Sequence, residues 1–221
     1  GKGSMKLKNF ERELKYLLTG ENELIFEDIV EVFNLNNYCK VEYRQKQKNE
    51  IYYDDNNLSV IKMGNVIRES THFNKDGVYS HFMFKKNVSV PTKPYVSKYE
   101  YGSDEFKTVQ EFVQALEDCN IKIMLKPVLY AEILRETAVF EKDNHKLLMS
   151  YDNVTYYKHK NGIQVFEKML EIEDWTTPYT TIAEKETFDM HLLTINEALL
   201  KKLPIQLTKD SKPYRGYLLL E

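Results

Sequence analysis

The sequence predicts an α+β chain dominated by one antiparallel sheet, closed or nearly closed on itself, with a few helices packed outside it. Three observations carry this. Ten segments rich in Tyr, Phe, Val, Ile and Thr alternate with period two, whereas only three stretches show helical periodicity. The sheet must therefore find its own closure. The third observation is that the face opposite the apolar one is charged with both signs on strand after strand.

The strand-like segments lie near residues 8–17, 38–54, 58–63, 65–74, 78–88, 94–101, 125–141, 146–151, 154–159 and 163–173. The first helical stretch, Glu21 to Asn34, places Ile25, Ile29, Val32 and Phe33 on one stripe. The second, Asp104 to Cys119, does so with Phe106, Val109, Val113 and Leu116, and Ser103 is the expected N-cap before two acids. The third runs from about His191 to Leu203 and stops before Pro204.

The alternation decides what the sheet can hold. Along residues 10–16, Glu11, Glu13 and Lys15 share one face, and Phe10, Leu14 and Tyr16 the other, with Arg12 interrupting. Residues i and i+2 of a strand lie roughly 7 Å apart on one face. Two carboxylates so placed can converge on a hard cation, and the lysine suits an anion better. Glu167, Glu171 and Glu173 repeat the layout opposite Leu170 and Ile172, and Lys98 and Glu100 lie opposite Tyr99 and Tyr101. Lys85 lies opposite Phe82 and Phe84, and Arg68 and Arg135 sit on further strands. On an ordinary antiparallel sheet such faces are solvated. Recurring with both signs on four or five strands of a closing sheet, they would instead line a polar interior. Buried charges need partners or ions, and a metal with a polyanion would satisfy both signs.

Composition sets the remaining limits. With 31 basic and 34 acidic residues among 221, the chain lacks the basic excess of a nucleic-acid coat or an acidic-membrane binder. No apolar run approaches the ~20 residues of a membrane span. Cys39 and Cys119 read as buried free thiols of a reducing compartment, so a cytoplasmic location is expected. Gly1 to Ser4 resemble an expression-tag remnant, and residues 5–221 show no linker or repeat, which suggests one domain. His72, His81, His145, His159 and His191 have no ligand spacing and read as surface or packing residues. No Gly-rich phosphate loop is evident, so a phosphate site would be made of side chains.

These motifs, in order, resemble the CYTH superfamily, the triphosphate tunnel metalloenzymes. Glu11–Lys15 matches the family's ExExK, and residues 47–54 (QKNEIYYD) resemble its Q-x-N-x-YYD strand. Ile67-Arg68-Glu69, the 82–85 strand with Lys85, Lys98-Tyr99-Glu100, Arg135, Asp152, Met169 to Glu173 and Ser211-Lys212-Pro213-Tyr214 resemble further family elements, so the likeness spans residue 11 to about 215. The resemblance implies an eight-stranded antiparallel tunnel with helices outside, Mg²⁺ or Mn²⁺, and a small-molecule triphosphate; homodimers are common in the family. It implies metal ligation by Glu11, Glu13, Glu171 and Glu173 with Asp152 and Glu100, and phosphate binding by Lys15, Arg68, Lys85, Lys98, Arg135 and Lys212. Thiamine triphosphatases suggest Lys85 and Tyr52 as a general-base pair, which requires a lysine pKa lowered towards 7. Tyr52 reads equally as one of the packing residues among 16 tyrosines, and Lys212 with Tyr214 as either a mouth closure or a solvated tail. Val66 and Ile133 stand where the family carries basic residues. Hydrolysis of inorganic, thiamine or nucleoside triphosphate, cyclisation of ATP as in class IV adenylyl cyclases, and non-catalytic binding of polyphosphate or nucleotide are the readings this supports, in that order. A structural barrel with a charged surface would bind no metal.

Overall fold

The structure, a computed structural model, describes residues 4–20, 23–103, 105–176 and 182–221. Eight strands close an antiparallel barrel: β1 (Lys6–Leu18), β2 (Cys39–Asp54), β3 (Val66–Asn74), β4 (Gly77–Asn87), β5 (Val96–Gly102), β6 (Lys126–Lys142), β7 (His145–Tyr157) and β8 (Gln164–Asp174). Their order is β5-β4-β3-β2-β6-β7-β8-β1, and β1 returns to β5 through pairs such as Glu11 with Lys98. Closure removes the sheet edges that an open antiparallel sheet would expose. A short ninth strand, β9 (Ile205–Thr208), pairs with β1 where β5 has ended.

The barrel expected from the sequence is present, and the structure corrects several elements. Residues 58–63 form no strand; Ser59–Lys62 is a helical turn, α2. Asp54 accepts the backbone N–H groups of Val60 and Ile61 and so fixes the start of that turn. The segments at 146–151 and 154–159 are one strand, β7. Helix α1 (Phe26–Leu35) starts later than expected, with Ile25 at its N-cap and exposed rather than on the buried stripe; the first residues of that expectation, 21 and 22, lie outside the described residues. Helix α3 (Val109–Asp118) is capped by Thr108, whose side chain accepts from the Glu111 N–H, and not by Ser103. Helix α4 (Ile182–Lys202) begins well before residue 191. Both Cys39 and Cys119 are free but exposed, not buried. No helix among the described residues is long and apolar enough to cross a membrane.

Outside the barrel, α1 and α4 pack on the apolar faces of β1, β7 and β8 through Ile29, Phe33, Leu192, Ile195 and Leu199 against Leu14, Tyr16, Leu147 and Ile172. The Arg12 that interrupts the apolar face of β1 has a use here. Its buried guanidinium pairs with Asp174 at 3.0 Å and with Asp189 of α4, under the ring of Tyr95. It ties that helix to the barrel wall.

The last helix, α5 (Lys212–Leu220), was not anticipated. Ser211 caps it by accepting from the Tyr214 N–H, and Pro213 lies in its first turn, where a missing N–H costs nothing. It closes one end of the barrel. A Cβ at Gly216 would lie 2.7 Å from both Leu129 and Tyr156, so only glycine lets the helix approach this closely. Above it, inward-facing Tyr52, Val66, Leu129, Ala131, Ile133, Val154 and Tyr156 form an apolar plug. The barrel interior is therefore charged along only part of its length, and Val66 and Ile133 belong to the plug.

Candidate functional site

Above the plug the interior is a cavity of about 280 Å³, with eight basic and six acidic side chains along its wall. Strand alternation builds it. Glu11, Glu13 and Lys15 point inward from β1, Glu171 and Glu173 from β8, Lys46, Lys48 and Glu50 from β2, and Arg68 from β3. Lys85 comes from β4, Lys98 and Glu100 from β5, Arg135 from β6, and Lys212 from the first turn of α5.

The charges separate into neighbourhoods. Ligand oxygens of Glu11, Glu13 and Glu173 lie within 4.8 Å of one another. Register explains this, since Glu13 stands directly opposite Glu173 and one i−2 step from Glu11. The other three acids suggested by the sequence are engaged with cations. Asp152, fully buried, receives Nε and Nη2 of Arg135 at 2.7 Å each and Nζ of Lys212 at 2.9 Å, and it does not line the cavity. Glu171 pairs with Lys212, with Lys15 at 3.7 Å and with Arg135 at 3.5 Å. Glu100 lies 3.9 Å from Lys85, which also reaches Glu11 at 3.1 Å. The S-K-P-Y element is thus no solvated tail: Lys212 is buried inside the barrel, while Tyr214 lies on the helix beside Tyr217.

Sequence reasoning missed Lys48 and Glu50, although both stand on the same alternating face as Tyr52. Glu50 is 1% exposed, accepts from the Ser70 hydroxyl at 2.6 Å and from the Tyr52 hydroxyl at 3.0 Å, and forms an ion pair with Arg68 at 3.1 Å. Lys48 lies 3.9 Å from it. The signal was the K-x-K-x-E-x-Y alternation from residue 46 to 52.

This constellation was compared with known proteins. No family model matches the sequence, and no curated protein matches it in sequence. Solved structures do match. The PH1819 protein of Pyrococcus horikoshii OT3 superposes with a TM-score of 0.56 at 17% identity, over 95% of this chain and 98% of that one. A chain of the Schizosaccharomyces pombe Mediator head module gives 0.52 at 9% identity, over 89% and 98%. The Hippeastrum protein HpAC1, described as having a dominant triphosphatase activity, gives 0.49 at 13% identity, over 94% and 96%. The likeness is one of fold, a closed antiparallel barrel shared with the PH1819 protein along nearly its whole length.

Electrostatics inside the tunnel follow from burial and spacing. Burial, then the neighbouring Glu171 and Glu11, push the Glu13 carboxyl well above its usual range. Burial, then Glu11 and Glu13, do the same to Glu173. Burial also works to raise Glu11, but Lys85 overcomes it, with a Glu100 hydrogen bond and Lys98, and holds that carboxyl below the usual range. Lys85 does not meet the condition for a base. Burial works to lower it, but Glu11 and Glu100 hold it above the ordinary lysine value. The lysines lowered to about 7 are Lys98, by burial and then Lys15 and Lys85, and Lys48, by burial and then Arg135. Tyr52, pushed well up by burial and then Glu50, stays protonated at the edge of the plug.

A stability prediction follows. Glu173 is raised in the folded state, so its penalty is absent below its unfolded value of about 4.5 and accrues as pH rises above it. In metal-free buffer at pH 7.5, Glu173→Gln should melt above the wild type. Relief of about 1 kcal/mol would raise the melting temperature by roughly 2–4 °C at this chain length. The gap should close below pH 4.5; a variant that melts lower than wild type at pH 7.5 would refute the repulsion argument.

Proposed function

We propose that the chain is a metal-dependent triphosphatase acting inside this tunnel. The observation that carries the reading is the Glu11–Glu13–Glu173 cluster facing a wall of buried cations. Three mutually repelling carboxylates form an all-oxygen donor set of the kind Mg²⁺ or Mn²⁺ takes. When bound, the cation would neutralise phosphate charge and favour an attacking water. The remaining work belongs to side chains. Arg68 and Arg135 offer planar forks to phosphate oxygens, and Lys15, Lys85, Lys98 and Lys212 supply point charges. Positioning and charge neutralisation are most of what phosphoryl transfer requires. Asp152, Glu171 and Glu100 hold the clamp cations in place. Lys85 stays protonated and serves as a clamp, and Lys48 and Lys98 are the lysines suited to exchange a proton near neutral pH.

The test is phosphate release from tripolyphosphate, thiamine triphosphate and ATP with Mg²⁺, with Mn²⁺ and with chelator. Metal-stimulated release from at least one substrate is expected; none from any substrate overturns the reading. A second reading, non-catalytic binding of a polyphosphate or nucleotide, is favoured by the plug: Val66 and Ile133 leave the inner end of the cradle uncharged. A chain of the same fold within the Mediator head module shows that the barrel can serve in a protein assembly. Metal-dependent binding without turnover would select the second reading, and cyclic AMP with pyrophosphate would select a cyclase.

A further inference from the structure

The β3–β4 hairpin runs past the end of its neighbour. β4 pairs with β5 only from Met83 to Asn87, whereas β3 and β4 stay paired as far as Asn74 and Gly77. The overhang lies at the open end, away from the plug. On β3 the inward register continues from Arg68 through Ser70 to His72, and on β4 from Lys85 through Met83 and His81 to Tyr79. His72 stands opposite Tyr79, and Lys48 of β2 stands opposite His72 on the other side.

The three rings are nearly parallel. His72 lies 4.7 Å from Tyr79 at 10° and 5.0 Å from His81 at 14°, and Tyr79 and His81 are 6.5 Å apart at 23°. A cross-strand cluster of rings can exist only to brace a hairpin. Two features argue against that as the whole account. Tyr79 is 52% exposed, so much of its surface faces water. Among the described residues His72 Nε2 is buried with no hydrogen-bond partner, a cost of about 1–3 kcal/mol that packing alone would select against. Four residues of strand separate His72 from Arg68, about 13 Å at ~3.3 Å each. That span accommodates a sugar between phosphates held in the cavity and a ring at the mouth.

We propose that the His72–Tyr79–His81 platform stacks the base of a nucleoside triphosphate, so that the ligand is a nucleotide and not free inorganic triphosphate. The proposal rests on the triphosphate reading above. Stacking on an aromatic face is worth about 1–3 kcal/mol per base and tolerates any base. Arg68, inward on the same strand and held cationic, favours a neutral ring over a cationic one such as a thiazolium, and burial, then Lys48 and His81, lower His72 to about 4, so its imidazole is uncharged at neutral pH.

The test is equilibrium binding of β,γ-imido-ATP, thiamine triphosphate and tripolyphosphate, each with Mg²⁺, to the wild type, Tyr79→Ala, Tyr79→Trp and His72→Ala. Tyr79→Ala should weaken imido-ATP about tenfold, Tyr79→Trp should restore it, and tripolyphosphate should be unaffected in every variant. Unchanged imido-ATP affinity in both alanine variants overturns the platform while leaving the triphosphate reading intact. Equal weakening of imido-ATP and tripolyphosphate also overturns it, because it marks a role in shaping the mouth. Thiamine triphosphate bound more tightly than imido-ATP, and weakened more by Tyr79→Ala, overturns the choice of a neutral base. Failure of the wild type to bind any of the three overturns the triphosphate reading and this proposal with it.

Discussion

The Glu11→Gln/Glu13→Gln variant should lose metal-stimulated phosphate release by on the order of 10³-fold, the scale seen when a site's charge-stabilising groups are removed. The two positions supply two of the three clustered carboxylates, and glutamine keeps their size while removing the negative charge. The substitutions leave each lysine an acidic partner, because Lys85 still faces Glu100 and Lys15 still faces Glu171. The variant should therefore fold, and its melting curve in chelator is the control. The informative readout is metal titration: in the wild type, Mn²⁺ should raise the melting temperature, and in the variant it should not. Retention of full metal-stimulated turnover would remove the metal from β1.

Arg135→Ala should cost about 3–5 kcal/mol of folding stability, the range for leaving one member of a buried ion pair unpaired. Asp152 has no access to water, and the guanidinium satisfies both its oxygens. Without it, Lys212 would be the cation left to Asp152 while also pairing with Glu171. For a chain of this size the loss is roughly 10 °C in melting temperature. Arg135→Lys keeps the charge but not the fork, and should fall between. Arg135→Ala/Asp152→Ala should recover part of the loss, since it removes the stranded carboxylate. A drop under about 2 °C for Arg135→Ala would mean that this network does not hold the barrel wall.

The barrel and the clustering of its charges were legible because a strand's period of two is written directly into the sequence. Glu11, Glu13 and Lys15 announce one face, and Lys98 with Glu100 another. Depth along the barrel axis was not legible. Val66, Ile133 and Tyr52 alternate inward as the charged residues do, and nothing local says that they meet Leu129 and Tyr156 in a plug. Helix α5 had a signal, a Ser N-cap followed by Pro213, but its use as an end closure depends on the approach at Gly216 to strands more than 50 residues away. Which lysine titrates near neutrality is a question of neighbours. Two carboxylates outweigh the burial of Lys85, whereas burial and neighbouring cations prevail at Lys48 and Lys98, and only the three-dimensional register of the strands distinguishes them. The histidines illustrate the same limit: His72 and His81 have no ligand spacing in the sequence, yet hairpin pairing with Tyr79 stacks them.

With α5 and the apolar residues above it closing one end, the barrel has the topology of a thimble rather than a pipe. Under the proposed activity a linear polyanion would enter by its terminus, and whatever is cut from that terminus would wait for the remainder to back out or slip past it. Long polyphosphate chains could not be threaded through and trimmed in successive steps. Under the proposed activity, each encounter would remove one end group, and the depth between mouth and plug would act as a ruler that sets how many phosphates are gripped at once.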